Sequence, residues 1–173
     1  MSLTLTNVGL NLIYYAITLV LLPGISLLLE TYFAFIRRPF MTLRIASVAL
    51  AIAGAALQLW CITVFQSTGK GTPSPALPPK RLVTDGPYKF VRNPMNIGEL
   101  MLLLALAGWF ASPLLFTYCV IAALAFHVFI LVWEEPEHRR QFGPTYVRYA
   151  SSVNRWLPAP ANRKIRRAGT SVV

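Results

Sequence analysis

The run LLFTYCVIAALAFHVFILVW, Leu114 to Trp133, carries no Asp, Glu, Lys or Arg in any of its 20 positions. An α-helix rises about 1.5 Å per residue, so this run crosses the roughly 30 Å of bilayer hydrocarbon. Three more apolar runs precede it, at about Val8–Phe35, Leu43–Phe65 and Asn96–Phe110, the last of them short. Ala111-Ser112-Pro113 is the whole joint between the third and fourth runs, which predicts a tight helical hairpin. Pro23-Gly24 interrupts the first run near its middle. A kinked single span is expected there, because two short passes would each fall below spanning length. The fold class is therefore all-α: a polytopic membrane helical bundle of about four transmembrane helices.

Composition points the same way. Hydrophobic residues make up 55% of 173 residues, charged residues 13%, and mean hydropathy is +0.56. Soluble domains carry about 25% charged residues. The net charge is +10, from 16 Lys and Arg against 6 Asp and Glu. Most of it flanks apolar runs, as juxtamembrane anchors do. The basic tail has no interleaved aromatics to stack bases, so nucleic acid is not an expected partner and membrane lipids are. Cys61 and Cys119 sit in apolar runs and read as small buried hydrophobes. The N-terminus lacks the charge and cleavage pattern of a signal peptide, so the first run is expected to be retained.

The chain reads as one membrane-embedded domain over 1–158. Its 1–65 part holds the N-terminal helices, and 66–158 holds a long loop, the hairpin and a C-terminal interfacial helix. A basic tail expected to be disordered fills 159–173. The loop between the second and third runs starts Gly- and Pro-rich (GKGTPSPALPPK) and continues as RLVTDGPYKFVRNP, whose composition suits an ordered functional loop. Four passes put this loop and the C-terminal region on one side. Their Lys and Arg excess makes that side cytoplasmic, against the opposing pull of Arg37, Arg38 and Arg44.

Acidic residues are scarce, and Glu134-Glu135 closes the fourth run directly. A carboxylate at the bilayer edge is costly without a partner. From position alone the pair reads either as bound by basic loop residues or as solvated by headgroup water. Glu99, one turn inside the third run, is expected to pair with Arg92 or Lys89, and Glu30 with Arg37 and Arg38. His127 reads as a hydrogen-bonded packing residue. No phosphate loop, zinc motif or nucleophile elbow occurs in the chain. No metal is expected.

Several short motifs stand in a fixed order. They are Gly86-Pro87-Tyr88, Arg92-Asn93-Pro94-Met95-Asn96-Ile97-Gly98, Glu134-Glu135, the stretch Phe142-Gly143-Pro144-Thr145-Tyr146-Val147-Arg148-Tyr149, and Leu157-Pro158. With the hairpin between them they resemble the signature of isoprenylcysteine carboxyl methyltransferases and their phospholipid-methyltransferase relatives, in a bacterial form. The resemblance implies S-adenosyl-L-methionine as methyl donor. It also implies a cofactor site made of Lys80, Arg81, Leu82, Val83, Tyr88, Asn93, Pro94, Met95, Asn96, Glu134 and Glu135. The acceptor it implies is lipid-like or a small hydrophobic molecule, reached from a bacterial inner (plasma) membrane with loop 66–93 and the C-terminus cytoplasmic. Three positions depart from the family pattern: Asn93 replaces His, Asn96 replaces Tyr, and Ile130 replaces an Arg that binds a prenylcysteine carboxylate. A second reading follows from the first two departures, that of an altered family member serving as a lipid-binding or scaffold protein.

Overall fold

The structure, a computed structural model, describes residues 9, 13–33, 39–69 and 81–158. Arg37, Arg38, Lys70, Lys80 and the tail 159–173 lie outside the described residues. Four apolar helices make the bundle: α1 (Ile13–Tyr32), α2 (Met41–Thr68), α3 (Pro94–Phe110) and α4 (Pro113–Phe142). A short helix follows, α5 (Pro144–Ser152). Among the described residues α1, α2 and α4 are long and apolar enough to cross a membrane, and α3 is shorter. The chain is an integral membrane helical bundle. Its outer surface carries large apolar side chains such as Val20, Ile52, Leu124 and Val132, which only lipid can cover.

Pro23 does not split α1. Instead the turn before it, Ile17–Leu21, widens into a π-turn, and the Leu22 amide bonds to the Ile17 carbonyl five residues back. The next partner in that pattern for the Thr18 carbonyl is Pro23, which has no N–H. Hydrocarbon offers no water to fill the vacancy. The Tyr118 hydroxyl of α4 does so, donating to the Thr18 carbonyl at 3.2 Å. One proline thus dictates both a bulge and a contact between helices.

Helices α2 and α3 run antiparallel and approach through small residues. A Cβ on Gly54 would meet the Gly98 carbonyl at 3.0 Å, and one on Gly108 would meet Ser47 Oγ at 2.5 Å. Close backbone approach of this kind is what drives helix association where lipid removes the hydrophobic gain. Beyond the far end of this seam, Arg44 lies over the Trp109 ring at 5.5 Å.

The hairpin is as tight as expected. Ala111 adopts a left-handed conformation (φ 49°) that ends α3, and Ser112 Oγ caps α4 by accepting from the Leu115 amide at 3.0 Å. Glu30 is buried at the same place and accepts from the Leu114 amide at 2.8 Å. The expected partners of Glu30, Arg37 and Arg38, lie outside the described residues. The carboxylate sits where the helix dipole of α4 is positive, which favours an acid there.

Helix α4 spans 30 residues, or ~45 Å, and so overshoots the hydrocarbon. A π-turn at Ile130–Glu134 interrupts it near the exit. The inserted residue turns the face that follows by about 100°. Ile130 is left fully buried, and Glu135 looks inward.

Candidate active site

Residues 81–93 fold back over the adjoining ends of α2 and α3 by virtue of one glycine. Gly86 has φ +57°, and a Cβ there would come within 2.7 Å of Val64 Cγ2 and 3.2 Å of the Trp60 ring nitrogen. Only glycine fits both the conformation and the space. The turn Gly86–Lys89 that follows buries Pro87 and Tyr88. Tyr88 joins Val83 and Cys61 in a small core against which Met95 packs.

The segment after α5 straps this loop in place. Val91 and Asn154 form an isolated parallel bridge. The Arg92 amide donates to the Asn154 carbonyl at 2.8 Å, and the Asn93 amide to the Arg155 carbonyl at 3.3 Å. The Asn93 side-chain nitrogen reaches the same Arg155 carbonyl at 3.5 Å. Tyr149, the last aromatic of the Phe142–Tyr149 motif, donates its hydroxyl to the Tyr88 carbonyl at 2.8 Å. Burial pushes the phenols of Tyr88 and Tyr149 up, so both remain protonated donors at neutral pH.

The two adjacent acids face different surroundings. Glu135 is buried among guanidinium groups. Its Oε1 accepts from Arg92 Nη1 at 2.7 Å and from Arg155 Nε at 2.5 Å, and its Oε2 from Arg155 Nη2 at 2.9 Å, with Arg139 at 4.0 Å. This fills nearly all the lone-pair capacity of one carboxylate. Glu134 is half-buried, and no hydrogen bond or ion pair from another described residue reaches it. Its charge lies close enough to influence the phenols of Tyr88 and Tyr146.

Three features of this region have no partner among the described residues. Glu134 is one. Arg92 Nε, a buried donor with no acceptor, is the second. The third is the start of α3, where Asn93 occupies the cap position without capping and Pro94 follows, so the amides of Met95 and Asn96 stand open. An acid, a guanidinium donor and open helix amides suit a zwitterion, with its ammonium at Glu134 and its carboxylate at the donors. The amino-acid end of S-adenosylmethionine is such a zwitterion, so the residues present fit that group. Among the described residues no cluster of three or more His, Cys, Asp or Glu stands ready to hold a metal.

Of the residues singled out from sequence, Val83, Tyr88 and Met95 come together, with Asn93, Pro94 and Asn96 at the helix start beside them. Arg81 is exposed and Leu82 half-buried at the loop's edge, while Lys80 lies outside the described residues. Arg155, Tyr146 and Tyr149 were not singled out, although the motif around the two tyrosines was the available signal. Glu99 pairs with neither Arg92 nor Lys89, contrary to expectation. Arg92 is held by Glu135, and Lys89 pairs with Asp85 at 3.3 Å. Glu99 instead accepts from Tyr14 of α1 at 3.2 Å, because it lies one turn deeper in the bundle than Met95, where α1 is within reach. His127 accepts from Trp156 Nε1 at 3.1 Å, as a packing histidine should.

The profile of the phospholipid methyltransferase family matches residues 42–145, which is more than half of the chain. No curated protein and no solved structure matches it. The match takes in nearly all of α2, the strapped loop, α3 and α4, and leaves out α1 and the strap itself. Its name carries methyl transfer as the general activity. The chain belongs to the phospholipid methyltransferase family.

Proposed function

We propose that the chain uses S-adenosyl-L-methionine to methylate a lipid-like or small hydrophobic acceptor at the membrane surface. The observation that carries this reading is the grouping, around the start of α3 and the end of the apolar run of α4, of three features without partners among the described residues: Glu134, Arg92 Nε and the open amides of α3. When bound, the cofactor supplies a methyl group already activated by its sulfonium. The protein's part is then alignment and exclusion of water. Glu134 holds the ammonium, and the Met95 and Asn96 amides with Arg92 take the carboxylate. Val83, Tyr88, Pro94 and Met95 supply apolar walls. Arg81 and Leu82 border the site from the loop, and Asn93 positions the helix start by bonding to Arg155.

In this reading Glu135 is a positioning residue, because its oxygens are taken by Arg92 and Arg155. The acceptor reaches the site from the bilayer. Loop 66–93 and the C-terminus face the cytoplasm of a bacterial inner (plasma) membrane, by the excess of Lys and Arg on that side.

Calorimetric titration of the detergent-solubilised protein with S-adenosylmethionine tests the reading. Saturable binding is expected, weakened at least tenfold in Glu134→Gln. Absence of binding by the parent protein would falsify it. Binding without transfer of labelled methyl to any component of a lipid extract would favour the lipid-binding alternative, for which the Asn93 and Asn96 replacements speak.

A further inference from the structure

Helix α1 is held to the bundle unequally on the two sides of Pro23. In residues 23–32, Pro23 and Glu30 are buried, Leu27 packs on the core shared by α3 and α4, and the helix lies along α4. The anchor of this half is charge-assisted, with the Leu114 amide donating to Glu30 Oε1 at 2.8 Å. In residues 13–22 no residue is buried, and Ile13, Ile17, Val20 and Leu21 stand exposed to lipid.

The hydrogen bonds that tie residues 13–22 to α3 and α4 are long. The Tyr14 hydroxyl donates to Glu99 Oε2 at 3.2 Å, and the Tyr118 hydroxyl donates to the Thr18 carbonyl at 3.2 Å. Bonds between a hydroxyl and an oxygen normally span about 2.5–3.0 Å, so both are weak examples. The Thr18 hydroxyl, near the same Glu99 carboxylate, donates within α1 to the Tyr14 carbonyl.

Between the two halves lie the features at which helices bend. Ile17–Leu21 is a π-turn, Pro23 contributes no amide, and Gly24 follows. Glycine holds a helical conformation less firmly than any other residue except proline. A Cβ on Gly24 would meet no described atom within 4 Å, so the chain has room there.

The position of residues 13–22 gives such a bend a use. The Tyr15 phenol lies close enough to Glu99 and Cys61 to sense their charge. Cys61 in turn packs with Val83 and Tyr88 in the small core on which the loop rests. This half of α1 therefore separates one flank of the region below Tyr88 from the bilayer.

We propose that residues 13–22 form a lateral gate, hinged at residues 17–24 and latched by Tyr14 and Tyr118, through which an apolar molecule passes between the bilayer and the region below Tyr88. That this molecule is the methyl acceptor rests on the methyl-transfer reading above; the motion does not. Opening breaks two long hydrogen bonds and exposes mainly apolar surface, which lipid covers again. The Glu30 anchor keeps residues 23–32 in place meanwhile.

The test uses the full chain in lipid nanodiscs, with Cys61 and Cys119 replaced by Ala and spin labels placed in pairs. Ile13→Cys with Leu124→Cys reports on the gate, and Leu28→Cys with Leu124→Cys reports on the anchored half. A minor open form of about 1–10% should rise to roughly 20–70% in Tyr14→Phe/Tyr118→Phe, at about fivefold for each bond lost. The Ile13 pair should then show a second distance, and the Leu28 pair should keep one. Gly24→Ala introduces no clash and favours the straight helix; added to the latch variant it should cut the open-to-closed ratio about fivefold. Alone, it should slow labelled-methyl transfer to a subsaturating bacterial polar-lipid extract about fivefold, with the Kd for S-adenosylmethionine within about twofold of the parent. An unchanged single distance for the Ile13 pair in the latch variant, or equal changes in both pairs, overturns the gate. A second distance combined with transfer unaffected by Gly24→Ala overturns its role in admitting the acceptor. Failure of the parent to bind S-adenosylmethionine overturns the methyl-transfer reading, and the spin-label distances still decide the gate.

Discussion

Glu134 and Glu135 are adjacent in sequence, and their neutralisation should have opposite effects. Glu135→Gln removes the charge that holds Arg92 and Arg155 together, at side-chain exposures of 6% for the acid, 11% for Arg92 and 34% for Arg155. Breaking a buried pair leaves an uncompensated charge behind and costs about 3–5 kcal/mol. The Arg155 share is reduced by solvent at its more exposed end. Gln also keeps one acceptor oxygen, which places the expected loss near the lower limit, about 3 kcal/mol. For a chain of this size that is a fall of about 6–12 °C in the unfolding midpoint. Glu134→Gln neutralises an acid with no partner among the described residues and should leave the midpoint unchanged or slightly raised. It should instead remove one charge-assisted hydrogen bond to the cofactor ammonium. Such a bond contributes about 1.5–3 kcal/mol, or a factor of about 10–150 in Kd. Thermal unfolding in detergent and cofactor titration of both variants provide the assay. A Glu135→Gln midpoint within about 2 °C of the parent, or a larger fall for Glu134→Gln than for Glu135→Gln, refutes the division of roles.

Three further outcomes follow from the packing. Gly108→Ala drives a methyl group into Ser47 Oγ and should lower stability by about 1–3 kcal/mol; adding Ser47→Ala removes the obstructing oxygen and should restore much of the loss, as read by denaturation of both variants. Tyr118→Phe leaves the Thr18 carbonyl without a donor in hydrocarbon and should cost about 1 kcal/mol, with faster amide exchange around Pro23 as its local signature. Tyr149→Phe removes the hydroxyl that holds the Tyr88 carbonyl and should raise the Kd for S-adenosylmethionine about fivefold, within the ~1 kcal/mol of one hydrogen bond, while leaving the acceptor preference unchanged.

Much of the bundle could be read from sequence because the bilayer imposes simple rules. Run length set the spans, and Ala111-Ser112-Pro113 set the hairpin. The penalty on exposed backbone made Pro23 a kink and not a break. What sequence could not supply was direction around each helix. Glu99 finds its hydrogen bond 85 residues away, in α1, and Glu30 finds its own 84 residues away, at the start of α4. No local pattern encodes either pairing. The site divides in the same way. The motifs marked the loop and the acid pair as functional, but both acids look alike in sequence. The π-turn at Ile130–Glu134 turns one toward the arginines and leaves the other free, and nothing in ILVWE announces it.

The strap also sets an order of events during synthesis. Arg92 and Asn93 leave the ribosome well before their partners, since Asn93 and Arg155 are separated by 62 positions. At ~5–20 residues per second the interval is roughly 3–12 s, long compared with helix formation and loop closure. Glu135 emerges 43 positions after Arg92 and can pair with it first, and only the arrival of Asn154 and Arg155 then closes the network around Glu135. A chain released short of residue 154 would therefore hold all four membrane helices and still lack the strap across residues 81–93. Completion of the last few strap residues thus doubles as a checkpoint on whether residues 81–93 are held in place.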